Sequence, residues 1–218
     1  MRTVTARRRR GEELERAILR AAAEELSASG YAGMTMDRVA RRAGTNKNAI
    51  YRRWPNRLAL AVDAYAHLAE EPAPPPAAGN LRDEALALLR RANATWSSPT
   101  GAILRELLAA ASDEPELLDR LRDRAGAGRL NAAWVEVLER AVARGEAPPA
   151  AVHPRVAAVP MMLLRGEYAL RGVPSVPDEV LVEIVDEVFL PLVRGRGAGG
   201  WGATSGSSRP GAPSASAP

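Results

Sequence analysis

Apolar residues recur along most of this chain at the spacing of amphipathic helices, i, i+3, i+4 and i+7. The first such stripe begins near Glu12 and stops at Gly30, and the last ends near Val193. Prolines and glycines separate the stripes, as expected of residues that end helices. The pattern predicts an all-α protein of about nine helices.

The stretch from Gly30 to Leu60 contains the clearest start and stop signals. Thr35 is an N-cap residue before a short apolar stripe, and Gly44 is a C-terminal stop for that helix. Asn46 caps a second short helix, expected from about Lys47 to Trp54, which Pro55 ends. Ala49 and Ile50 are expected to face inward. The outward residues are then Lys47, Asn48, Tyr51, Arg52 and Arg53.

Two short helices joined by a glycine turn, with a polar and basic second helix, form the helix-turn-helix unit that enters the DNA major groove. The alternative is an ordinary helical hairpin with a solvated charged face. Spacing favours the DNA-binding interpretation, because the stretch resembles the N-terminal motif of TetR-family transcriptional regulators. The positions on that pattern are Gly30, Tyr31, Thr35, Met36, Val39, Ala40, Ala43, Gly44, Ile50, Tyr51, Arg57 and Leu60.

Departures from the motif are mild. Thr45 and Asn46 replace a usual Val-Ser pair, Trp54 replaces a phenylalanine, and Asn48 stands where glycine is frequent. The resemblance covers roughly residues 14–68. It implies an N-terminal three-helix DNA-binding domain followed by a helical domain that binds a small-molecule effector and dimerises.

DNA contacts are expected from one set of side chains. Lys47, Asn48 and Arg52 are predicted to reach base edges or adjoining phosphates, with the amide of Asn48 suited to adenine. Thr35, Tyr51 and Arg57 are predicted to hold phosphates. The full predicted set is Thr35, Thr45, Asn46, Lys47, Asn48, Tyr51, Arg52, Arg53 and Arg57.

Charge is distributed unevenly between the two parts of the chain. Residues 1–60 hold 14 Lys and Arg against 6 Asp and Glu, a net charge of +8, and the remainder holds 16 against 20, a net charge of −4. This asymmetry is expected when a module that binds a polyanion is joined to a neutral or acidic one. The absence of cysteine excludes disulfides and thiolate metal sites.

Composition suggests five segments. Residues 1–11, with consecutive arginines from Arg7 to Arg10, are expected to be a flexible basic arm that either contacts DNA or is only a soluble tail. Residues 12–70 form the DNA-binding domain, 71–80 a proline-rich linker, 81–193 the helical effector and dimerisation domain, and 194–218 a disordered tail rich in Gly, Ser and Pro.

The last two helices are apolar beyond one face, which predicts burial against a second subunit. The alternative is that they fill the centre of a monomer. The predicted interface consists of Val156, Val159, Leu163, Gly166, Leu181, Ile184, Val185, Val188, Phe189 and Leu192.

An effector pocket is expected between helices of the second domain, although each candidate is also explained as core. The candidates are Trp96, Arg105, Trp134, Met161, Met162 and Tyr168. Polarity could come from Arg105, Glu106, Arg165 or Glu167, and the sequence does not choose among them.

Taken together, these features predict a homodimeric cytoplasmic repressor that a small molecule releases from a palindromic operator, although an activator also fits. The alternative is an architectural protein that binds DNA without sequence preference and uses its helical module only to dimerise. An enzyme is not expected, because no nucleophile arrangement is recognisable. No cofactor, metal site or membrane segment is predicted, since the longest apolar run, Val156 to Leu164, contains Pro160 and is too short to span a bilayer.

Overall fold

A computed structural model describes residues 3–69, 74 and 77–198 of the chain, with side chains described within residues 11–197. The side chains of Arg7 to Arg10, most of the linker and the segment beyond Ala198 lie outside the described residues, and so do the predictions made for them. The described residues are helical and contain no strand, which confirms the all-α prediction.

The helices follow one another with short connections. Their bounds are α1 Thr3–Gly33, α2 Met36–Arg42, α3 Lys47–Tyr51, α4 Arg57–Tyr65, α5 Leu81–Ser97, α6 Pro99–Ala110, α7 Pro115–Arg124, α8 Ala127–Ala143, a 3-10 turn at Pro149–Ala151, α9 Pro154–Arg171, α10 Asp178–Glu183, a π-helical segment at Ile184–Phe189, and α11 Leu190–Ala198. The last three segments are continuous, so the described chain has ten helices when they are counted as one.

Helix α1 begins earlier than predicted, but it is interrupted at the predicted position near its C-terminal end. Its backbone is already helical at Thr3, within the segment expected to be a flexible arm up to residue 11. Arginine is the commonest residue of this segment, and arginine extends a helix that packing has already nucleated. At the other end Gly30, with φ 66° and ψ −178°, interrupts the helix where the sequence predicts a stop.

The protomer is built around two hydrophobic cores. The first core joins α1, α2, α3 and α4 to α6 and α7, and its fully buried residues include Ile18, Leu60, Leu107 and Leu121. The second core joins α5 to α8, α9 and the last helix, and it includes Trp134, Leu138 and Phe189.

Helices α6 and α7 therefore pack with the N-terminal helices, although the sequence groups them with the second domain. Leu107 of α6 and Leu121 of α7 are both fully buried in the first core. The proline-rich composition of residues 71–80 predicts a break between helices along the chain. It does not predict which helices pack against one another. The predicted boundary at residues 71–80 consequently separates two parts of the sequence, but it does not coincide with the boundary between the two hydrophobic cores.

Helices α5 and α6 meet in a tight corner at Gly101. The amide of Gly101 donates to Ser98 Oγ, at 3.0 Å, and this bond caps α6. A Cβ at position 101 would press on the backbone carbonyl oxygens of Thr95 and Trp96. Only glycine therefore fits this corner, which places the end of α5 beside the middle of α6, where Arg105 Nη1 donates to the carbonyl of Trp96.

Candidate nucleic-acid interface

Side-chain caps define the two helices of the predicted DNA-binding unit. Thr35 Oγ1 accepts the amide of Arg38 at the start of α2, at 3.3 Å. Asn46 Oδ1 accepts the amide of Ala49 at the start of α3, at 2.9 Å. Gly44 takes the left-handed conformation between them, with φ 62°, as the turn requires. The arrangement of helix, glycine turn and helix is as the sequence predicts.

Helix α3 is shorter than predicted and is fixed through one face. It ends at Tyr51 instead of Trp54, because the amides of Arg53 and Trp54 both return to the carbonyl of Ile50, at 2.9 and 3.0 Å. Ile50 is fully buried, and the Trp54 ring is 4% exposed. Trp54 Nε1 donates to Asp63 Oδ2 of α4 at 2.9 Å, which anchors the end of the unit.

The opposite face of α3 is open to solvent. Lys47, Asn48, Tyr51 and Arg52 are exposed, and the Tyr51 side chain is 49% exposed despite its size. Lys47 forms an ion pair with Asp37 of α2 at 2.8 Å. The hydrogen bond to Asp37 and its negative charge raise the pKa of Lys47, so this side chain stays cationic. This face can therefore offer an amide, a phenol and two cations to a polyanion.

Thr35 and Asn46 are also exposed, but their side-chain oxygens already accept backbone amides. Thr45 is half-buried, and its amide donates to the carbonyl of Ala40 at 2.9 Å. These three residues set the geometry of the turn that presents α3.

The side chains of Arg53 and Arg57 lie against the protein itself, which corrects the prediction that Arg53 points outward. Arg53 Nη1 donates to the carbonyl of Ala49 at 3.1 Å, and its Nη2 donates to the carbonyl of Gly11 at 3.3 Å. Arg57 Nη1 donates to the carbonyl of Met34 at 3.0 Å, and its guanidinium lies 4.2 Å from the centre of the Tyr31 ring. Both guanidinium groups are thus held by backbone carbonyl oxygens of the protein.

A buried carboxylate that the sequence analysis missed fixes α2 on α1. Glu25 is 3% exposed and accepts Arg42 Nε at 2.8 Å, and it forms an ion pair with Arg38 Nε at 2.6 Å. A signal was available, because position 25 is i+7 from Ile18 and i+4 from Ala21, on the apolar stripe of α1. A carboxylate on a buried face needs partners, and the arginines of α2 supply them.

Two further links join α6 and α7 to the DNA-binding unit. Glu106 Oε2 accepts the amides of Tyr31, at 2.7 Å, and Ala32, at 3.4 Å, beside the Gly30 interruption. Asp63, which holds Trp54, also accepts Arg120 Nη2 of α7 at 2.5 Å. These links tie the second half of the chain to the end of α1 and, through Asp63 and Trp54, to the residues that follow α3.

The predicted effector residues separate into three groups. Trp96 and Tyr168 pack together with ring centres 5.7 Å apart, and Arg105 lies 5.2 Å from the centre of the Tyr168 ring. Trp134 lies edge-on to Phe189 at 5.4 Å, and its buried Nε1 has no hydrogen-bond partner among the described residues. Met161 is buried in the second core, whereas the neighbouring Met162 is 59% exposed.

A surface cleft of about 500 Å³ lies elsewhere, between α1 and the residues that follow α4. Its lining includes Arg20, Glu24, Ser27, His67 and Leu68. None of the predicted effector residues lines it.

About half of the predicted interface set is buried within the protomer. Val156, Leu181, Ile184, Val185 and Phe189 are at most 6% exposed in the second core. The exposed large apolar residues of this region are Met162, Leu163, Leu170, Val188 and Leu192. Val159 and Gly166 are partly exposed. The apolar residues of α9 and the last helix are thus divided between two surfaces. One set is buried in the second core, and the other set is exposed on the outside of the same helices.

The described residues contain no helix long and apolar enough to cross a membrane. Within that same part of the chain, no three histidine, aspartate or glutamate side chains come together as a metal site would require.

Comparison with known proteins agrees with this geometry. A family model described as bacterial regulatory proteins of the tetR family matches residues 18–64, and a model described as the tetracyclin repressor-like C-terminal domain matches residues 75–188. The chain belongs to the TetR family of transcriptional regulators. The resemblance found in the sequence is thereby confirmed, and the protein is a DNA-binding transcriptional regulator.

Individual relatives extend over most of the chain. An uncharacterised HTH-type transcriptional regulator of Mycobacterium tuberculosis is 34% identical and covers 79% of this chain and 84% of its own length. A DNA-binding transcriptional repressor TetR of Mycobacteroides abscessus is 32% identical, with 85% and 96% covered. The crystal structure of the TetR family transcription regulator SCO0332 superposes with a TM-score of 0.60 at 30% identity and covers 81% and 97%.

Proposed function

We propose that this TetR-family protein is a homodimeric repressor that acts in the cytoplasm and leaves a palindromic operator when a small-molecule effector binds. The observation that carries the proposal is the two-faced helix α3. Its inner face is locked by Ile50 and Trp54, while Asn48, Tyr51 and Arg52 are free at the surface. A rigid helix with an open polar face fits the major groove, where sequence is read.

Within that contact, Asn48 is proposed to reach a base edge, since amides pair with adenine, and Arg52 is proposed to hold an adjoining phosphate. Lys47 and Tyr51 are proposed to hold phosphates on either side. Arg53 and Arg57 keep a supporting role, because their donors are already engaged by backbone carbonyls. Operator recognition therefore rests on fewer residues than the sequence suggests.

Dimerisation is proposed through the open apolar side of α9 and the last helix. Leu163, Val188 and Leu192 are 36–42% exposed there, and Met162 is 59% exposed. Helix α9 packs on the π-helical segment, which puts these side chains on neighbouring elements. Exposed apolar patches of this kind mark protein interfaces. The relative from M. abscessus is named as a repressor, which supports the direction of regulation proposed here.

The operator test starts with selection of bound fragments from the genomic DNA of the host. The recovered site is expected to be palindromic and to bind at least ~10³-fold more tightly than random duplex in a mobility-shift competition. Equal affinity for both duplexes would favour the alternative, an architectural DNA-binding protein without sequence preference.

The dimer test compares Leu163→Asp and Val188→Asp with Ala109→Asp, which places the same charge at an exposed position on α6. A carboxylate at the proposed interface would lose its hydration without a partner, so the first two variants should be monomeric in sedimentation velocity at micromolar concentration. Ala109→Asp should remain a dimer. Dimers that persist in all three variants would place the interface elsewhere.

A further inference from the structure

The corner between α5 and α6 holds a cluster of two aromatic rings and two arginines. Trp96 from the end of α5 and Tyr168 from α9 pack at 5.7 Å between ring centres. Arg105 of α6 lies 5.2 Å from the centre of the Tyr168 ring, and Arg165 of α9 lies 5.5 Å from the centre of the Trp96 ring. We call these four residues the aromatic niche.

The niche carries positive charge that the carboxylates of the described residues do not neutralise. Among the described residues, neither Arg105 nor Arg165 has a carboxylate partner. Arg122 of α7 adds a third positive charge nearby, although it pairs with Asp119 at 3.0 Å. Loss of hydration, followed by repulsion from Arg122, lowers the pKa of Arg165. Uncompensated guanidinium groups that have lost part of their hydration favour an anion.

The carboxylates closest along the chain are engaged elsewhere. Glu106 follows Arg105 but accepts the amides of Tyr31 and Ala32. Glu167 follows Arg165 by two residues but forms an ion pair with Arg171 at 3.0 Å. Of the four polar residues between which the sequence does not choose, the two carboxylates are thus engaged. Arg165 has no carboxylate partner among the described residues, and Arg105, which donates to the carbonyl of Trp96 through Nη1, keeps its other guanidinium nitrogens for a ligand.

The hydroxyl of Tyr168 is engaged inside the protomer. The Tyr168 hydroxyl donates to Asn93 Oδ1 at 2.6 Å, inside the protomer. Asn93 is 8% exposed and also donates to the carbonyl of Val176 at 2.9 Å, so this bond is held in place. A ligand would thus meet the partly exposed Trp96 ring and not the Tyr168 hydroxyl, and an aromatic surface favours planar aromatic groups.

Solvent reaches the niche from one side. Arg122 and Arg165 are exposed, Trp96 and Arg105 are partly buried, and Tyr168 is buried at the base. This gradient allows a ligand to approach with its ring toward Trp96 and its charge toward the arginines.

We propose that the aromatic niche binds a planar aromatic ligand that carries a carboxylate or a comparable anion, and that this chemical class includes the effector. The inference rests on the proposed function, because it names the kind of molecule that the regulator senses. The ring packs on the partly exposed Trp96, and the anion accepts hydrogen bonds from Arg165 and from the guanidinium nitrogens of Arg105 that do not bind the carbonyl of Trp96.

The test uses the full-length protein and three probes measured by isothermal titration calorimetry: 2-naphthoate, the neutral 2-naphthamide and the aliphatic decanoate. Naphthoate should bind at least about 10-fold more tightly than either control probe. Equal binding of naphthamide would remove the argument from charge. Equal binding of decanoate would remove the argument from the rings.

The variants Arg165→Gln and Trp96→Leu should each weaken naphthoate binding about 10-fold or more. Arg171→Gln is the matched control, since it removes an exposed arginine of the same helix that pairs with Glu167, and it should leave binding unchanged. Circular dichroism and sedimentation should show an unchanged fold and assembly in Arg165→Gln. Undiminished naphthoate binding in Arg165→Gln would overturn the assignment. The assignment would also be overturned if the parent protein did not bind naphthoate and Arg165→Gln only disrupted the dimer.

Operator binding is measured on the same samples. Specific DNA binding without naphthoate binding overturns this inference and leaves the proposed regulator intact. Naphthoate binding without specific DNA binding overturns the proposed regulator and keeps the ligand site.

Discussion

The two cores of the protomer differ in what they support. The first core holds the DNA-binding helices in register, and α6 and α7 belong to it as fully as α1 and α4. The second core presents the open apolar side of α9 and the last helix. The aromatic niche lies where they meet, with Arg105 on a helix of the first core and Tyr168 in the second. A ligand bound at this boundary could therefore change how the DNA-binding helices are oriented relative to the proposed subunit interface, and neither core would have to unfold.

The largest expected effect on the free energy of unfolding comes from replacing one buried leucine of either core by alanine. Leu107 and Leu138 are both fully buried, and replacement by alanine should cost about 2–5 kcal/mol of unfolding free energy in either case. Hydrogen exchange should separate them, because Leu107→Ala should speed exchange mainly in α1, α4 and α6, and Leu138→Ala mainly in α5, α8 and α9. If both variants speed exchange everywhere alike, the cores form one cooperative unit.

The next effect contrasts an inward arginine with an outward one. Arg57→Ala removes charge-assisted bonds to backbone carbonyls and should lower the unfolding free energy by about 1.5–3 kcal/mol. Arg52→Ala should leave stability nearly unchanged and reduce the salt dependence of DNA binding by about one phosphate contact. Urea unfolding and binding titrations across salt concentrations measure the two effects. The reverse result would mean that Arg57 turns toward DNA in the complex.

A third effect concerns sequence discrimination. Asn48→Ala should relax the preference at one operator position by about 1–3 kcal/mol and should spare stability, because Asn48 is exposed on α3. Binding to a panel of operators with single base-pair changes measures this preference. An unchanged ranking of the panel would remove Asn48 from the base-contacting set.

The smallest effect tests the link between the cores. Glu106→Gln keeps the shape of the side chain but weakens its hold on the amides of Tyr31 and Ala32, which should cost about 1 kcal/mol. Operator affinity without ligand should change little, whereas the loss of affinity caused by a bound ligand should shrink. Ala109→Gln, at an exposed position of the same helix, is the control. Unaltered coupling would show that α6 transmits nothing through Glu106.

Local features of the fold were predictable because they depend on neighbouring residues in sequence. Thr35, Gly44 and Asn46 fix caps and turn within a few positions, and the alternation of Ile50 with Tyr51 and Arg52 defines the two faces of α3. These residues were sufficient to predict the helix-turn-helix unit and to recognise the family.

Features that depend on distant partners were not predictable in the same way. An apolar stripe shows that α6 is buried but not that it packs on α1. An arginine such as Arg53 has a long side chain, and its direction was decided by the carbonyl of Gly11, 42 residues away in sequence. Similarly, the stripe of α9 contains Met161, which is buried, beside Met162, which is exposed, and only packing distinguishes an interior side from an interface.

Gly101 limits the substitutions that the α5–α6 corner can accept. Any larger residue there would meet the carbonyls of Thr95 and Trp96 and force the two helices apart. Substitutions at the side chains of the niche would change its chemistry, whereas a substitution at Gly101 would change the angle between the helices that carry Trp96 and Arg105.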